Sequence, residues 1–402
     1  MFIARQPIFK RNLDVYGYEL LYRSGIQSDH FDGVSPQYAT ATVIGGLFES
    51  GMDQIVEEKY AFINFDEDFI LSSSLELIPS DTLIIEVLEN IKIDQNLIER
   101  LKDLKNKGYK IALDDFVEEY ESYPLIPIAD IIKFDLIETP LETIEKDISL
   151  AISQKKILLA EKIETKEEFL KAKEMGFHLF QGYFFSKPSI VGKSYKRSTS
   201  KIQYSRILLE LKKEEPSYQV LAEIIEKDVN LAYRLIRISS LRTEDELIYS
   251  VKRALTYMGM REIERWINIL MLQDLGQSKP NELIKMSLIR SRFAETIAIG
   301  IGLSDVRHEA ALMGLFSTLD AMLDQTMENA LKDMAISKSI IEALVYHKGV
   351  LYPIYELLIA YERGNWTKAI EILNKINMDV NILYEEYLAA IEWANKIFKT
   401  IT

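Results

Sequence analysis

The sequence predicts an α/β domain of repeated strand–helix units followed by an all-α domain. Three observations carry this. Short β-rich runs that end in polar residues recur through the first half of the 402-residue chain. Amphipathic helical stretches lie between those runs. Beyond about residue 193 the strand pattern stops, and apolar residues repeat at helical spacing only. A chain of this length exceeds one ordinary core, so two domains are expected.

Composition narrows the chemistry. Apolar residues make up 48% and charged residues 27%, as in a water-soluble globular protein. With no cysteine, disulfides and thiolate zinc sites are excluded. The four histidines (His30, His178, His308, His347) are scattered, so a metal would be held by carboxylates and amides, which favours magnesium, manganese or calcium. The formal net charge of -14 argues against nucleic acid or an anionic membrane as partner. Met1 to Gln6 shows no signal-peptide pattern and no uncharged apolar run spans a bilayer, so a cytoplasmic location is expected.

Taken in order, Val15 to Arg23 alternates by two, which places Gly17, Glu19, Leu21 and Arg23 on one face. Further runs are Tyr60 to Phe65 with Asn64, Leu83 to Leu88 with Glu86, and Lys110 to Phe116 with Asp114 and Asp115. Ile131 to Asp135 carries Lys133, Ile157 runs to Glu161, and Leu179 to Tyr183 carries Gln181. From Asn64 onward the polar residues recur roughly every 20 to 28 residues, the length of one strand–helix unit. Between them, Asp94 to Lys107 has Leu97, Ile98, Leu101 and Leu104 on one face and stops at Gly108. Thr165 to Glu168 forms a capping box for a helix closing at Gly176. Seven such strands approach a (β/α)8 barrel, whose active sites lie at the C-terminal strand ends.

At those ends Glu19, Glu86, Asp114, Asp115 and Glu161 would converge with Asn64. Taken singly, each is an ordinary solvated acid. Together they would repel one another unless protonated or neutralised by hard divalent ions. Two ions about 4 Å apart would clamp the attacking and leaving oxygens of a phosphoryl displacement. Lys133 could then activate the nucleophile, and Arg23 could hold a phosphate oxygen.

The ordered motifs Gln6-Pro7-Ile8, Tyr18 to Arg23, Phe62-Ile63-Asn64, Glu86 to Glu89, Asp114-Asp115-Phe116, Lys133-Phe134-Asp135, Ala160 to Glu164 and Gln181-Gly182-Tyr183 resemble those of the EAL domain. The resemblance implies a (β/α)8 TIM-like barrel that hydrolyses cyclic di-GMP to linear pGpG with Mg2+ or Mn2+. It implies Glu19, Asn64, Glu86 and Asp114 as ligands of one metal, and Asp114 with Asp115 as ligands of a second. Glu161 and Gln181 would support that second metal or its water. It further implies Lys133 as the lysine that activates the nucleophile, Arg23, Gln6 and Gln181 as ligand contacts, and Glu89 as the acid anchoring the loop after Asp115. Two departures bear on turnover. The family's Gly-Thr-Gly-Tyr-Ser-Ser loop is replaced by Val117 to Ser122, so it must fold without the positive-φ freedom of glycine. Lys162 replaces the glycine usual after Glu161.

The expected boundaries are a barrel over 1–192, a polar connector over 193–205 and an all-α domain over 206–402. Leu221 to Ala232 and Ser250 to Gly259 resemble blocks of the HDOD domain, and the whole arrangement resembles the YuxH-like EAL–HDOD signalling proteins. Where metal-dependent HD hydrolases carry adjacent His and Asp ligands, this chain has Ser317 and Thr318, so its helical domain is expected to be non-catalytic. Two functions follow. One is a cyclic di-GMP phosphodiesterase regulated by the HDOD domain. The other is a cyclic di-GMP receptor that signals through protein contacts of that domain, with homodimerisation open in either case.

Overall fold

A computed structural model describes residues 2–23, 55–89, 91–187, 199–240, 250–276, 279–332 and 336–401. The start of the connector, 193–198, lies outside them, and from Thr199 the backbone is helical. The described residues form two compact units. One is Met1–Lys187 with Leu357–Leu388, and the other is Pro188–Glu356 with Ala389–Thr402. The division therefore differs from the one read in the sequence. Residues 357–388 were assigned to the all-α domain, yet they pack with the barrel. Phe2 stacks on Trp366 at 5.4 Å, and the Ile3 amide donates to the Tyr361 hydroxyl at 3.4 Å.

Eight strands close into a barrel in chain order. They are β1 Phe2–Lys10, β2 Val15–Arg23, β3 Tyr60–Phe65, β4 Leu83–Val87, β5 Lys110–Leu113, β6 Ile131–Asp135, β7 Ile157–Ile163 and β8 Leu179–Gly182. β1, absent from the sequence reading, runs antiparallel to both neighbours, whereas β2 to β8 are parallel. Four residues join β1 to β2, and a link that short permits only an antiparallel pair. Pro7 lies where β1 pairs with β2 alone, opposite Tyr18, because pairing with β8 involves only Ile8 to Lys10. Helices follow β3, β4, β6 and β7, whereas the β5–β6 connection carries none.

Local signals hold as read. Asp94 accepts the Leu97 amide at 2.9 Å and caps a helix over Gln95–Asn106 that buries Leu97, Leu101 and Leu104. Gly108 follows it at φ +97°. The Thr165–Glu168 capping box forms, and Gly176 closes that helix at φ +108°.

Inside the barrel, a layer of Ile8, Phe62, Ile84, Ala112, Ile131, Leu159 and Leu179 is buried. Gln6, Asn64, Glu86, Asp114, Lys133, Glu161 and Gln181 each lie two positions from one of these residues. The two-residue period of a strand therefore sets a polar ring directly above an apolar floor. In β2 the floor position is Gly17, where a Cβ would come 2.6 Å from the Tyr60 carbonyl and 2.9 Å from the Phe62 ring. The reversed direction of β1 explains why its polar Gln6 precedes Ile8 in sequence.

The second unit is helical, from Thr199–Leu211 onward. Where the sequence has Ser317 and Thr318, Arg290 Nη1 donates to Ser317 Oγ at 3.0 Å, and Ser317 Oγ donates to the Gly314 carbonyl at 2.7 Å. The Thr318 hydroxyl meets that of Ser287. Gly314 permits this approach, since a Cβ there would fall 2.3 Å from the Arg290 carbonyl oxygen. The polar positions are thus consumed by hydrogen bonds within the fold. Among the described residues, no helix is long and apolar enough to cross a membrane.

Candidate active site at the barrel mouth

Lys133 is the hub of the polar ring and only 1% exposed. Its Nζ lies 2.5 Å from Asp114 Oδ1, 2.6 Å from Glu86 Oε1, 2.9 Å from Glu161 Oε1 and 3.9 Å from Glu19 Oε1. Four carboxylates thus surround one ammonium. Burial alone would depress the Lys133 pKa, but Glu161, Glu19, Glu86 and Asp114 outweigh it and hold the amine well above the usual lysine range. Burial pushes Glu86 well above the usual carboxylate range, only partly opposed by Lys133. Burial raises Glu161 in the same way, against the pull of Lys133.

Hydrogen bonds fix the rest of the ring. Gln181 Nε2 donates to Glu19 Oε2 at 2.5 Å and to Gln6 Oε1 at 3.2 Å. Asn64 Nδ2 donates to Glu19 Oε1 at 3.3 Å. Four buried oxygens of the ring remain without a hydrogen-bond donor: Asn64 Oδ1, both oxygens of Glu86, and Gln181 Oε1. For Glu86 Oε1 the neighbouring ammonium is close but not in hydrogen-bonding geometry. Unsatisfied buried oxygens are costly, and hard-oxygen donors with surplus negative charge are the set a Mg2+, Mn2+ or Ca2+ ion takes. The residues present therefore fit the divalent metal that the sequence reading calls for.

Asp115, just past β5, adopts φ +40°. Its carboxylate, with those of Asp114 and Glu89, forms a group whose oxygens lie within 4.8 Å of one another. Burial first, and Asp114 second, raise the Asp115 pKa. Glu89 is thus placed beside the paired aspartates. Arg23 ends β2, paired through its backbone with Phe2, and its side chain lies outside the described residues.

The altered loop has a simple construction. Among residues 116–124 none adopts positive φ, so the missing glycines are not needed. Phe116 makes edge contacts with Tyr120, Tyr123 and Phe134, and Tyr120 donates to Gln154 Oε1 at 3.2 Å. With the aromatics turned inward, Glu118, Glu119 and Glu121 are exposed.

Lys162, by contrast, occupies a position that does ask for glycine, with φ +54°. Its ammonium pairs with the buried Asp135 carboxylate, which also accepts the Ile137 amide at 2.8 Å. Gly182 is still more constrained. At φ +143°, a Cβ would fall 2.2 Å from the Ile163 carbonyl oxygen, so the end of β8 admits glycine alone.

A cleft of about 390 Å³ opens at the ring, and Asn64, Glu86 and Glu89 are not among the residues that line it. It contains Gln6, Glu19, Asp114, Asp115, Lys133, Glu161 and Gln181, all read as site residues in the sequence. It also contains Lys162, Glu164, Tyr183 and Arg363, which were not. Lys162 was visible as a departure from pattern. Arg363 carries no local signal, because only folding brings residues 357–388 to the barrel.

A family model described as "EAL domain" matches residues 64–188, and one described as "HDOD domain" matches residues 201–340. The chain is 35% identical over 410 residues to the uncharacterized protein YuxH of Bacillus subtilis, covering 99% of this chain and 98% of that one. It is 28% identical over 405 residues to the cyclic di-GMP phosphodiesterase CdgJ of Vibrio cholerae, covering 100% and 94%. A solved EAL domain protein from Listeria monocytogenes is 23% identical with a TM-score of 0.36, covering 46% of this chain and 86% of that one. The calcium and cyclic di-GMP complex of Klebsiella pneumoniae BlrP1 is 22% identical with a TM-score of 0.39, covering 46% and 55%.

Barrel, polar mouth and helical unit together define an EAL-domain protein with a C-terminal HDOD domain. More particularly, the chain belongs to the EAL–HDOD family of which YuxH is a member.

Proposed function

We propose that this chain is a cytoplasmic, metal-dependent phosphodiesterase that hydrolyses cyclic di-GMP to pGpG, with its HDOD domain a non-catalytic regulator engaging a protein partner. One observation carries the reading. The donorless oxygens of Asn64, Glu86 and Gln181 sit among carboxylates whose charge a single lysine does not balance. Glu19, Asn64, Glu86 and Asp114 would hold one Mg2+ or Mn2+ ion, and Asp114 with Asp115 a second. Divalent ions there would polarise a phosphodiester and stabilise the charge that develops as water attacks phosphorus. Glu161 and Gln181 would orient that water. Lys133, kept charged by its acids, would offer an ammonium to the nucleophile's surroundings and needs relief from those acids before it could accept a proton. Gln6 and Arg23 would contact the ligand, and Glu89 would steady the segment at Asp115.

A receptor reading draws on Lys162, whose ammonium lies in the cleft and acts electrostatically on Asp115, where a second cation would bind. Incubation of the full chain with cyclic di-GMP and Mg2+ or Mn2+, followed by chromatography of nucleotides, separates the two. Release of pGpG is expected. Binding of cyclic di-GMP without pGpG under either metal would assign the receptor instead.

A further inference from the structure

Of the cations that line the cleft among the described residues, Lys133 and Lys162 are committed to acids within the fold. Arg363 is different. It is exposed, and its guanidinium forms no hydrogen bond or ion pair within 4 Å among the described residues. It is nevertheless held in place. The guanidinium lies 4.9 Å from the centre of the Tyr183 ring, in the segment that follows Gln181 and Gly182. Gln6 Nε2 donates to the Glu362 carbonyl at 3.3 Å and to the Tyr183 hydroxyl at 3.2 Å. On the other side Gly364 adopts φ +65° and abuts Leu21, so close that a Cβ would come 2.7 Å from Leu21 Cδ1. The Arg363 backbone is thus clamped between β1 and β2, and its side chain is steadied by an aromatic face. Its field lowers the pKa of Glu164, though less than Lys187 does.

We propose that Arg363 is a ligand-binding residue, donating its guanidinium to a phosphate oxygen of the cyclic dinucleotide at the cleft rim. The proposal rests on the cyclic di-GMP reading of the barrel. A planar guanidinium with its donors uncommitted, stacked on an aromatic ring beside an anion site, has the geometry that phosphate recognition uses. The mouth is otherwise rich in carboxylates, which repel a phosphodiester, so a positioned cation at the rim has an electrostatic role that the ring itself does not fill. Because Arg363 comes from the stretch 357–388, ligand binding and the docking of that stretch on the barrel are thermodynamically linked.

The test compares the full-length wild type, Arg363→Met and Arg363→Lys in equilibrium binding of cyclic di-GMP in EDTA and with Ca2+, with melting temperatures and hydrogen exchange of residues 357–366. Arg363→Met should weaken binding about tenfold, the worth of one charge-assisted contact, with an unchanged melting temperature. Arg363→Lys should retain binding within about threefold, and the ligand should slow exchange over 357–366 in the wild type but less in Arg363→Met. Equal affinity of wild type and Arg363→Met overturns the proposal. So does an equal loss in both variants accompanied by a lowered melting temperature, which would assign the effect to packing. Absence of binding by the wild type both in EDTA and with Ca2+ overturns the cyclic di-GMP reading itself, and this proposal with it.

Discussion

Replacing Glu86 by glutamine is expected to abolish metal-dependent cleavage of cyclic di-GMP, by at least about a hundredfold, without unfolding the barrel. Glu86 is fully buried; its Oε1 lies 2.6 Å from the Lys133 ammonium, which it shares with other acids, and its Oε2 has no hydrogen-bond donor. In the metal-free protein its charge is therefore a burden, which is why burial raises its pKa so far. The sign with pH follows. A carboxyl whose folded pKa exceeds its unfolded value keeps its proton in the folded state after the unfolded chain has lost it. Ionising it then erodes stability as pH rises from about 4.5. Glu86→Gln removes that burden. In EDTA the variant should melt at or above the wild-type temperature, and its advantage should grow as pH rises from about 4.5 towards the raised folded pKa of Glu86. Full activity in Glu86→Gln, or a melting temperature well below wild type at pH 8, would show that the carboxylate serves neither metal nor charge as argued.

The opposite substitution should have the opposite effect. Lys133→Met removes the one ammonium among four carboxylates. Uncovering buried charges in this way costs about 3–5 kcal/mol, or a fall of roughly 10 °C in EDTA. Divalent cations should restore part of that loss, because they supply the missing positive charge at the same oxygens. A fall of less than about 2 °C in EDTA, or one that Mn2+ leaves untouched, would contradict the view that Lys133 and metal share one set of acids.

These two substitutions concern residues that were readable in the sequence, and the reason is geometric. In parallel strands the side chain two positions past a floor residue must point to the same interior. Phe62 and Asn64, Ile84 and Glu86, Ile131 and Lys133 therefore announced both the barrel and its mouth. β1 was not readable, because Arg5, Gln6 and Pro7 break the apolar run and nothing local in its pattern marks an antiparallel direction. Its motif could be matched, but its strand could not be inferred. The loop after Asp115 was readable only as a loss of glycine. Its aromatic anchoring by Phe116, Tyr120 and Tyr123 depends on the β5 and β6 surroundings. Lys162 could be seen as a departure, but its positive φ and its pairing with Asp135 are properties of the folded bulge where β7 meets Gly182. Arg363 lies far along the chain from the strands it adjoins, in the turn between helices Tyr352–Glu362 and Trp366–Ile376, whose periodicity says only that they bury one face. No window of sequence contains that contact.

The central claim is that the barrel mouth is a divalent-metal site of oxygen donors. Anomalous diffraction from crystals of the full chain grown with millimolar Mn2+ tests it most directly. The account predicts a peak within about 2.0–2.6 Å of oxygens of Glu19, Asn64, Glu86 and Asp114, with Lys133 displaced from at least one of the acids it now touches. A mouth without a peak, in which Lys133 still bridges Glu86, Asp114 and Glu161, would contradict it.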